Sequence, residues 1–333
     1  MEPRYTALTK LTFGILAAVF AVQAYEAATR PIGTGEAYIY DRFVRPANRQ
    51  VLAQELPDRD VLYSLLEKRS VGLFHVSPFS VRLPGLLFAI LYLWSVWRIG
   101  RWFPGTGRLF PVVVVLAGLL PLGWGWFWRA NGAGTALALA LCAAWLTIRY
   151  LKQNQVVNPL NLNLAGACLG LSVAARLDFA IPVVLLGLLF LAAFAIRKQW
   201  AVWADRLLVP AAVVALVFLV LPVSHSHAAS ENTPELTVGE SSGLQSALQV
   251  LRASAGSSHI RIGAMAAVEP IVNFYRAQHR LTTWGRAQRS FASTRMDYYL
   301  LPTSDLGWVE QRHLIVLYRD AGLLLAHRSY DAM

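Results

Sequence analysis

Charged residues are scarce in this sequence, and their scarcity decides its broad class. They make up 15% of the 333 residues, whereas hydrophobic residues make up 56%. Soluble domains carry about 25% charged residues. The hydrophobic residues occur in long runs, and about 20 apolar residues in a row are enough to cross a bilayer as a helix. This composition excludes an ordinary soluble domain and indicates an integral membrane protein.

Cysteine is nearly absent, which excludes two further classes of protein. Cys142 and Cys168 both lie inside apolar runs, so they can form neither a disulfide framework nor a zinc knuckle. The pair His225 and His227 would supply only two metal ligands, whereas protein zinc sites use three or four. The sequence therefore predicts no metal and no cofactor.

Acidic residues are outnumbered by basic ones, 19 against 30, which gives a net charge of +11. In a soluble protein this excess would suggest a nucleic-acid partner. Here the polar segments carry no basic stripe with interleaved aromatic side chains. The basic residues instead occupy short loops between apolar runs, as the cytoplasmic loops of membrane proteins do. Membrane lipids, and no nucleic acid, are the predicted partners of these charges.

Seven stretches are apolar enough to be membrane spans: 11–28, 80–99, 109–128, 133–150, 162–176, 178–196 and 206–224. The stretch 162–176 is short, and a re-entrant segment is the alternative. If it crosses, four basic clusters share one side of the membrane: Arg4 with Lys10; Arg98, Arg101 and Arg108; Arg149 with Lys152; Arg197, Lys198 and Arg206. The positive-inside rule makes that side cytoplasmic. The first run also resembles a signal peptide, but the spans that follow favour an uncleaved anchor.

This topology predicts a multi-pass protein of a bacterial-type inner (plasma) membrane with a cytoplasmic N-terminus. Its fold class is an α-helical polytopic membrane protein, residues 1–225, with a small extracytoplasmic α/β domain, residues 226–333. An external loop covers about residues 29–79. Within it, Val51 to Leu66 suits two short amphipathic helices on the membrane surface, divided by Pro57.

The C-terminal domain alternates between helical and extended patterns. Helices are predicted over Ser242–Ala255 and Val268–His279, and strands over His259–Ala264, Tyr298–Leu301, Leu314–Tyr318 and Leu323–His327. The first three strands are expected to share one sheet. Asn273 and Tyr275 are expected on the surface and in the core, respectively. No glycine-rich phosphate loop opens a helix here, which argues against nucleotide binding.

Candidate catalytic residues follow the first span, in the motif GEAYIYDR. Glu36, Tyr38, Asp41 and Arg42 lie within a few residues of the predicted membrane surface. A carboxylate at this depth could take a proton from an acceptor hydroxyl. A solvated acid paired with Arg42 is the structural alternative.

Two further outer turns carry arginine. Arg129 lies between the third and fourth spans, and Arg176 and Asp178 lie at the next outer turn. An arginine there can bind a phosphate with two hydrogen bonds or extend to the lipid headgroups, and both interpretations stay open. The nearby Trp124, Trp126 and Trp128 are typical of an interfacial aromatic belt. Acidic residues at mid-membrane depth are lacking, which counts against a proton-coupled transporter.

Three motifs, in this order, resemble the membrane glycosyltransferases of the C-type fold, specifically the protein mannosyltransferase and lipid A aminoarabinose transferase group. GEAYIYD resembles the acidic signature after their first span. The stretch YSLLEKRSVGLFHVSPFSVRLPG, which contains Arg82, resembles the segment that leads into their second span. WRANGAGTALAL resembles the arginine-containing start of their fourth span. The resemblance covers about residues 10–225.

The resemblance implies an inverting transferase that moves a sugar from a polyprenyl-phosphate donor to an acceptor of unknown identity on the outer face. Glu36 would be the general base, or Asp41 in its place. Arg129, with Arg42 or Arg82, would stabilise the leaving phosphate. The family has an acidic pair where this chain has Gly35 and Glu36, so the alternative is an inactive scaffold or subunit with a membrane-protein partner. A lipid-substrate transporter is a third, weaker hypothesis.

A reporter fusion after Ser230 tests the topology. With seven spans and a cytoplasmic N-terminus, the fusion should report an extracytoplasmic location, because all four basic clusters then lie in the cytoplasm. Alkaline phosphatase and green fluorescent protein fusions at this point give opposite signals. A cytoplasmic signal would mean that one of the seven predicted spans does not cross the membrane, and we would then exclude 162–176.

Overall fold

The computed structural model describes residues 3–45, 60–101, 114–116, 125, 127, 129–152, 160–196, 204–213, 238–289, 296–320 and 322–328. The chain divides into two compact units. The helical unit comprises Met1–Arg30, Pro46–Phe74 and Pro78–Ser226, and the sheet unit comprises Pro31–Arg45, His75–Ser77 and His227–Met333. The segment 31–45, which carries the acidic signature, thus belongs with the C-terminal residues and not with the membrane helices.

The helical unit is built from long apolar helices. They are α1 (Pro3–Thr29), α3 (Val61–Phe74), α4 (Pro78–Gly100), α5 (Gly132–Lys152), α6 (Leu160–Ala175) and α7 (Ala180–Ile196); α2 (Thr34–Ile39) belongs to the sheet unit. Three segments are long and apolar enough to cross a membrane: Lys10–Thr29 within α1, all of α4 and all of α5. Helices able to cross a membrane are therefore confirmed at three of the seven predicted positions.

The remaining predicted spans are not shown to cross. Helices α6 and α7 have 16 and 17 residues; at 1.5 Å per residue, the longer is about 26 Å, slightly less than the roughly 30 Å of a bilayer core. One side of α7 exposes Ile181, Val184, Leu185, Leu188 and Leu189, as expected of a helix that faces lipid. Most of 109–128, and 206–224 beyond residue 213, lie outside the described residues.

Glycines let the helices of this unit approach each other closely. A Cβ added at Gly132, the first residue of α5, would overlap the carbonyl oxygen of Ala175 at the end of α6. A Cβ at Gly166, within α6, would overlap the carbonyl oxygen of Leu207. Small residues at such contacts are the usual means by which membrane helices pack, since lipid offers no hydrophobic drive for their association.

Side chains also satisfy backbone groups in this unit. Asp60 accepts a hydrogen bond from the backbone N–H of Gly132 at 3.0 Å, where α5 begins, so a carboxylate lies at the positive end of the helix. Ser172 of α6 donates to the carbonyl oxygen of Ala136 of α5 at 2.8 Å. Helix α3 covers the second half of the predicted surface-helix region, but its buried side is polar and includes Glu67. Residues 51–59 lie outside the described part.

The sheet unit contains a four-stranded sheet. Its strands β1 (Ile262–Ala264), β2 (Tyr298–Pro302), β3 (Leu314–Arg319) and β4 (Leu323–Arg328) are arranged in the order β1-β2-β4-β3. Strands β1 and β2 are parallel, and the other two pairs are antiparallel. A parallel pair needs a crossover, and α9 (Glu269–Gln278) lies in it. The prediction of three strands in one sheet is confirmed, although β1 begins three residues later than expected.

Two more helices complete this unit: α8 (Val238–Ala255) and α10 (Leu306–Gln311). The apolar pattern predicted for α8 is confirmed, because Leu244, Ala247, Leu248 and Leu251 are all buried. Sequence patterns did not predict α10, whose six residues are too few to show a helical period.

Replacing Gly132 with Ala should destabilise the helical unit. The new methyl group would overlap the Ala175 carbonyl oxygen, and overpacking of this kind costs about 1–3 kcal/mol. The matched control is Gly187→Ala in α7, where no neighbouring heavy atom lies within 4 Å of the added carbon. Thermal unfolding of the purified protein in detergent should show a lower midpoint for Gly132→Ala only. Equal midpoints for the two variants would contradict the close contact.

Candidate functional site

Asp41 is the centre of the most connected polar cluster of the sheet unit. It lies in a π-helical turn, Tyr40–Val44, that directly follows α2, and it is buried. Arg45 donates to its Oδ1 at 3.0 Å, and Arg286 donates to its Oδ2 at 2.6 Å. Asn273 donates to the same Oδ2 at 3.4 Å. Both oxygens of one carboxylate therefore accept hydrogen bonds from residues up to 245 positions away in the sequence.

Asn273 connects Asp41 to the rest of the cluster, and its predicted surface position is wrong. Its side chain is 2% exposed. The Oδ1 atom accepts a hydrogen bond from the backbone N–H of Ala287 at 3.0 Å, and the Nδ2 atom also donates to Glu269 at 3.4 Å. A buried amide must be hydrogen-bonded on both sides, which an amphipathic pattern cannot reveal. Tyr275, predicted in the core, is only partly buried.

Three guanidinium groups surround the Asp41 carboxylate. Besides Arg45 and Arg286, the third is Arg276. Its pKa is lowered mainly by partial burial and next by the charges of Arg45 and Arg286. The Asp41 charge acts in the opposite direction. Arg276 also donates to the carbonyl oxygen of Trp284 at 2.6 Å. The cluster thus holds segment 31–45 against α9 and the residues after it by charge-assisted hydrogen bonds.

Apolar contact supports the same attachment. The ring of Tyr40 meets that of Phe274 edge to face, with 5.2 Å between the centroids. Both side chains are buried, and so is Val44. The segment after the first membrane helix is therefore part of the core of the sheet unit.

Glu36, the predicted general base, caps its own helix. It is the third residue of α2, and its Oε2 accepts a hydrogen bond from the backbone N–H of Gly33 at 2.9 Å. This is the carboxylate half of a capping box. The side chain is 9% exposed. Gly35 is exposed, and a Cβ there would have no heavy atom within 4 Å, so the acid of the resembled family would fit at this position.

Tyr38 and Arg42 lie in the same segment and contact each other. Arg42 donates to the Tyr38 hydroxyl at 2.6 Å, and its guanidinium lies 5.5 Å from the centre of the Tyr38 ring. The sequence analysis gave an exposed acid paired with Arg42 as the structural alternative to a catalytic role. The structure shows Arg42 paired with a tyrosine and not with an acid.

Arg82 has a structural position in the helical unit. Its side chain is 1% exposed, and its Nη1 donates to the carbonyl oxygens of Ala27 at 3.1 Å and Arg30 at 2.8 Å. A cation at the C-terminal end of α1 satisfies carbonyl groups that lack helical partners. Arg82 of the Arg-Leu-Pro motif therefore has a structural role that does not require phosphate binding.

The other predicted residues also belong to the helical unit. Arg129 is exposed, at a turn in which its N–H bonds to the carbonyl oxygen of Gly125 at 3.1 Å. Arg176 and Asp178 form an ion pair of 3.1 Å with side chains 37% and 64% exposed. The structure therefore groups Glu36, Asp41, Tyr38 and Arg42 in one unit and the remaining predicted residues in the other. Trp124, Trp126 and Trp128 lie outside the described residues.

Sequence reasoning missed Arg45, Arg286 and the role of Asn273. Only Arg45 offered a local signal, because it follows Asp41 by four positions, a spacing at which side chains meet in a helix. It also missed Glu67, which is fully buried in α3. A buried acid beside membrane helices is a default candidate for function.

Comparisons of the chain with protein-family models, with curated proteins and with solved structures find no match. The resemblance to C-type glycosyltransferases therefore rests on the three motifs alone and stays a prediction.

Replacing Asp41 with Asn should destabilise the sheet unit. Arg45 and Arg286 would lose a charged acceptor, and a hydrogen bond to a charged group contributes about 1.5–3 kcal/mol. Because both arginines are partly exposed, we expect the lower part of that range. Trypsin should then cleave faster after Arg42 in the full-length protein.

Asp178→Asn is the matched control for this experiment. It removes an aspartate from an exposed ion pair, which contributes about 0–1 kcal/mol. The control should leave the rate of cleavage unchanged. If Asp41→Asn also leaves it unchanged, Asp41 does not hold the segment in place.

Proposed function

We propose that the chain is a membrane protein related to polyprenyl-phosphate glycosyltransferases that no longer transfers sugar, and that it serves as a scaffold or subunit for a membrane-protein partner. The observation that carries this proposal is the engagement of Asp41 by Arg45, Arg286 and Asn273. An acid held by three donors fastens the external segment to the C-terminal residues. In the proposal, the membrane part has seven spans and the sheet unit is extracytoplasmic.

The chemistry of a general base supports the inactive assignment. A base must present a carboxylate oxygen within about 3 Å of the acceptor hydroxyl. Both oxygens of Asp41 already accept hydrogen bonds, and one oxygen of Glu36 caps α2. Position 35, where the resembled family has an acid, is glycine. Both carboxylates of the signature, Glu36 and Asp41, therefore stabilise the fold. A third carboxylate is lacking at position 35, which is glycine.

An active inverting transferase is the second candidate, and one observation favours it. Glu36 is nearly buried and fixed by the Gly33 N–H, and a base with a fixed position is what proton abstraction requires. Its second oxygen would face the acceptor, and the exposed Arg129 would stabilise the leaving phosphate. The polyprenyl-phosphate sugar would then be a substrate and not merely a bound lipid.

Glu36→Gln separates the two candidates because glutamine keeps the capping acceptor and loses the base. The protein is placed in nanodiscs with a panel of polyprenyl-phosphate sugars, and released polyprenyl phosphate is measured. We expect no release above empty nanodiscs for either the wild type or Glu36→Gln. The scaffold proposal would be wrong if the wild type released polyprenyl phosphate and Glu36→Gln did so about a hundredfold or more slowly. Loss of a general base would cause such a fall.

A complementation experiment removes the dependence on the choice of donor and acceptor. Strains that lack the protein receive the wild type, Glu36→Gln or Asp41→Asn at matched expression. A scaffold predicts that Glu36→Gln restores the wild-type phenotype and that Asp41→Asn, with its loosened sheet unit, does not. Failure of Glu36→Gln to restore it, with unchanged protein levels, would favour the enzyme.

A further inference from the structure

Three arginines lie on three tryptophans where α4 and α5 end. The guanidinium of Arg98 is 5.4, 5.8 and 5.7 Å from the ring centres of Trp94, Trp97 and Trp145. Arg101 lies 4.9 Å from the Trp97 ring, and Arg149 lies 5.5 Å from the Trp145 ring. We call these six residues the tryptophan–arginine cluster. All belong to the helical unit.

The cluster contains buried hydrogen-bond donors that lack acceptors. Trp97 Nε1, Trp145 Nε1 and Arg98 Nε are enclosed, and no described residue accepts a hydrogen bond from them. Trp145 is 5% exposed. Indole and guanidinium groups donate and cannot accept, so the six side chains cannot satisfy one another. A ligand from outside cannot reach these three enclosed N–H groups. The partly exposed Arg98 and Arg149 and the exposed Arg101 can offer it their outer guanidinium N–H groups.

The sequence around the cluster offers no acidic partner. No aspartate or glutamate occurs between Lys68 and Asp178, a stretch that includes all of α4 and α5. Two arginines elsewhere in the helical unit have oxygen partners: Arg82 has backbone carbonyls, and Arg176 has Asp178. No ion pair with a carboxylate is seen for the three cations of the cluster among the described residues.

The position of the cluster selects the kind of anion. It lies at the ends of two helices that are long and apolar enough to span a membrane, on the side that the basic loops predict to be cytoplasmic. Tryptophan side chains prefer the headgroup region, and basic pockets between membrane helices on this side bind anionic lipid headgroups.

We propose that the tryptophan–arginine cluster binds the phosphate of an anionic phospholipid, with the outer guanidinium N–H groups of Arg98, Arg101 and Arg149 donating to the phosphate oxygens. A lipid with two phosphates, such as cardiolipin, matches three guanidinium groups best. The acyl chains would lie along the apolar surface of α4, where Leu87 and Ile90 are exposed. The site does not depend on the proposed scaffold function, because it contains none of the signature residues.

The test measures retained lipid on the purified full-length protein. Nanodiscs are prepared from phosphatidylcholine with or without cardiolipin, the protein is extracted gently, and bound lipid is counted by native mass spectrometry. We expect the wild type to retain cardiolipin in preference to phosphatidylcholine. The double variant Arg98→Gln, Arg149→Gln should bind cardiolipin about 30-fold more weakly, since each lost arginine removes about a factor of five in surface affinity.

A second variant and a matched control keep the outcome clear if the double variant folds poorly. Arg101→Gln keeps the three tryptophans and removes one exposed cation, and it should weaken cardiolipin binding about fivefold. Arg312→Gln is the control, because Arg312 also lies on a tryptophan, Trp308, at 4.7 Å, but in the sheet unit. It should leave lipid retention unchanged.

Two results would overturn the proposal. Equal retention of phosphatidylcholine and cardiolipin, or retention of cardiolipin by both cluster variants at the wild-type level, would exclude an anionic-lipid site. Inorganic phosphate is added in a separate arm. If it displaces cardiolipin completely and raises the thermal midpoint of lipid-free protein as much as cardiolipin does, the ligand is a free phosphate and the lipid assignment is wrong.

Discussion

The need of every buried charged or polar group for a partner organises this molecule, because neither a lipid phase nor a protein core supplies one. In the helical unit the charged side chains meet this need at helix ends. Asp60 accepts the first N–H of α5, and Arg82 donates to the last carbonyl groups of α1. Each contact joins segments that are distant in the sequence, so a local electrostatic requirement also fixes which helices are neighbours. The glycine contacts of α5 and α6 then set how closely those helices approach.

The same requirement explains why the acidic signature has a structural role in the sheet unit. Asp41 is buried beside Asn273 and needs cationic donors, which Arg45 and Arg286 supply. Together with Asn273, these donors use three of the roughly four lone-pair sites of the carboxylate, which leaves it little capacity to accept a substrate proton. The Oε2 atom of Glu36 accepts its hydrogen bond from the backbone N–H at the start of its own helix. A carboxylate can stabilise a fold or accept a substrate proton at one oxygen, and here the stabilising contacts are the ones present.

Features with a local cause were predictable from the sequence, and features made by distant residues were not. Hydropathy located α1, α4 and α5, and short runs of apolar and aromatic residues located β2, β3 and β4, because each signal lies within the residues of one element. The pairing of Asp41 with Arg286 crosses 245 positions, and no period connects them. Asn273 was predicted on the helix surface because a polar residue in a helix is usually hydrated. The sequence does not show whether its partner is water or a buried carboxylate. Arg82 was predicted to bind phosphate because the sequence does not distinguish an arginine that binds backbone carbonyl oxygens from one that binds phosphate.

The tryptophan–arginine cluster is one place where the described residues leave this requirement unmet. At the start of α4, Arg82 finds carbonyl oxygens; at its end, Arg98 finds only the faces of tryptophan rings. A ring face attracts a cation but does not accept all of its N–H groups. Since the chain has no acid from residue 69 to 177, a protein partner would have to come from far away in the sequence, whereas anionic phosphate is abundant at the membrane surface. The scarcity of charged residues that indicates a membrane protein thus includes a long stretch without acids, and this lack of acids favours the anionic lipid that we propose for the cluster.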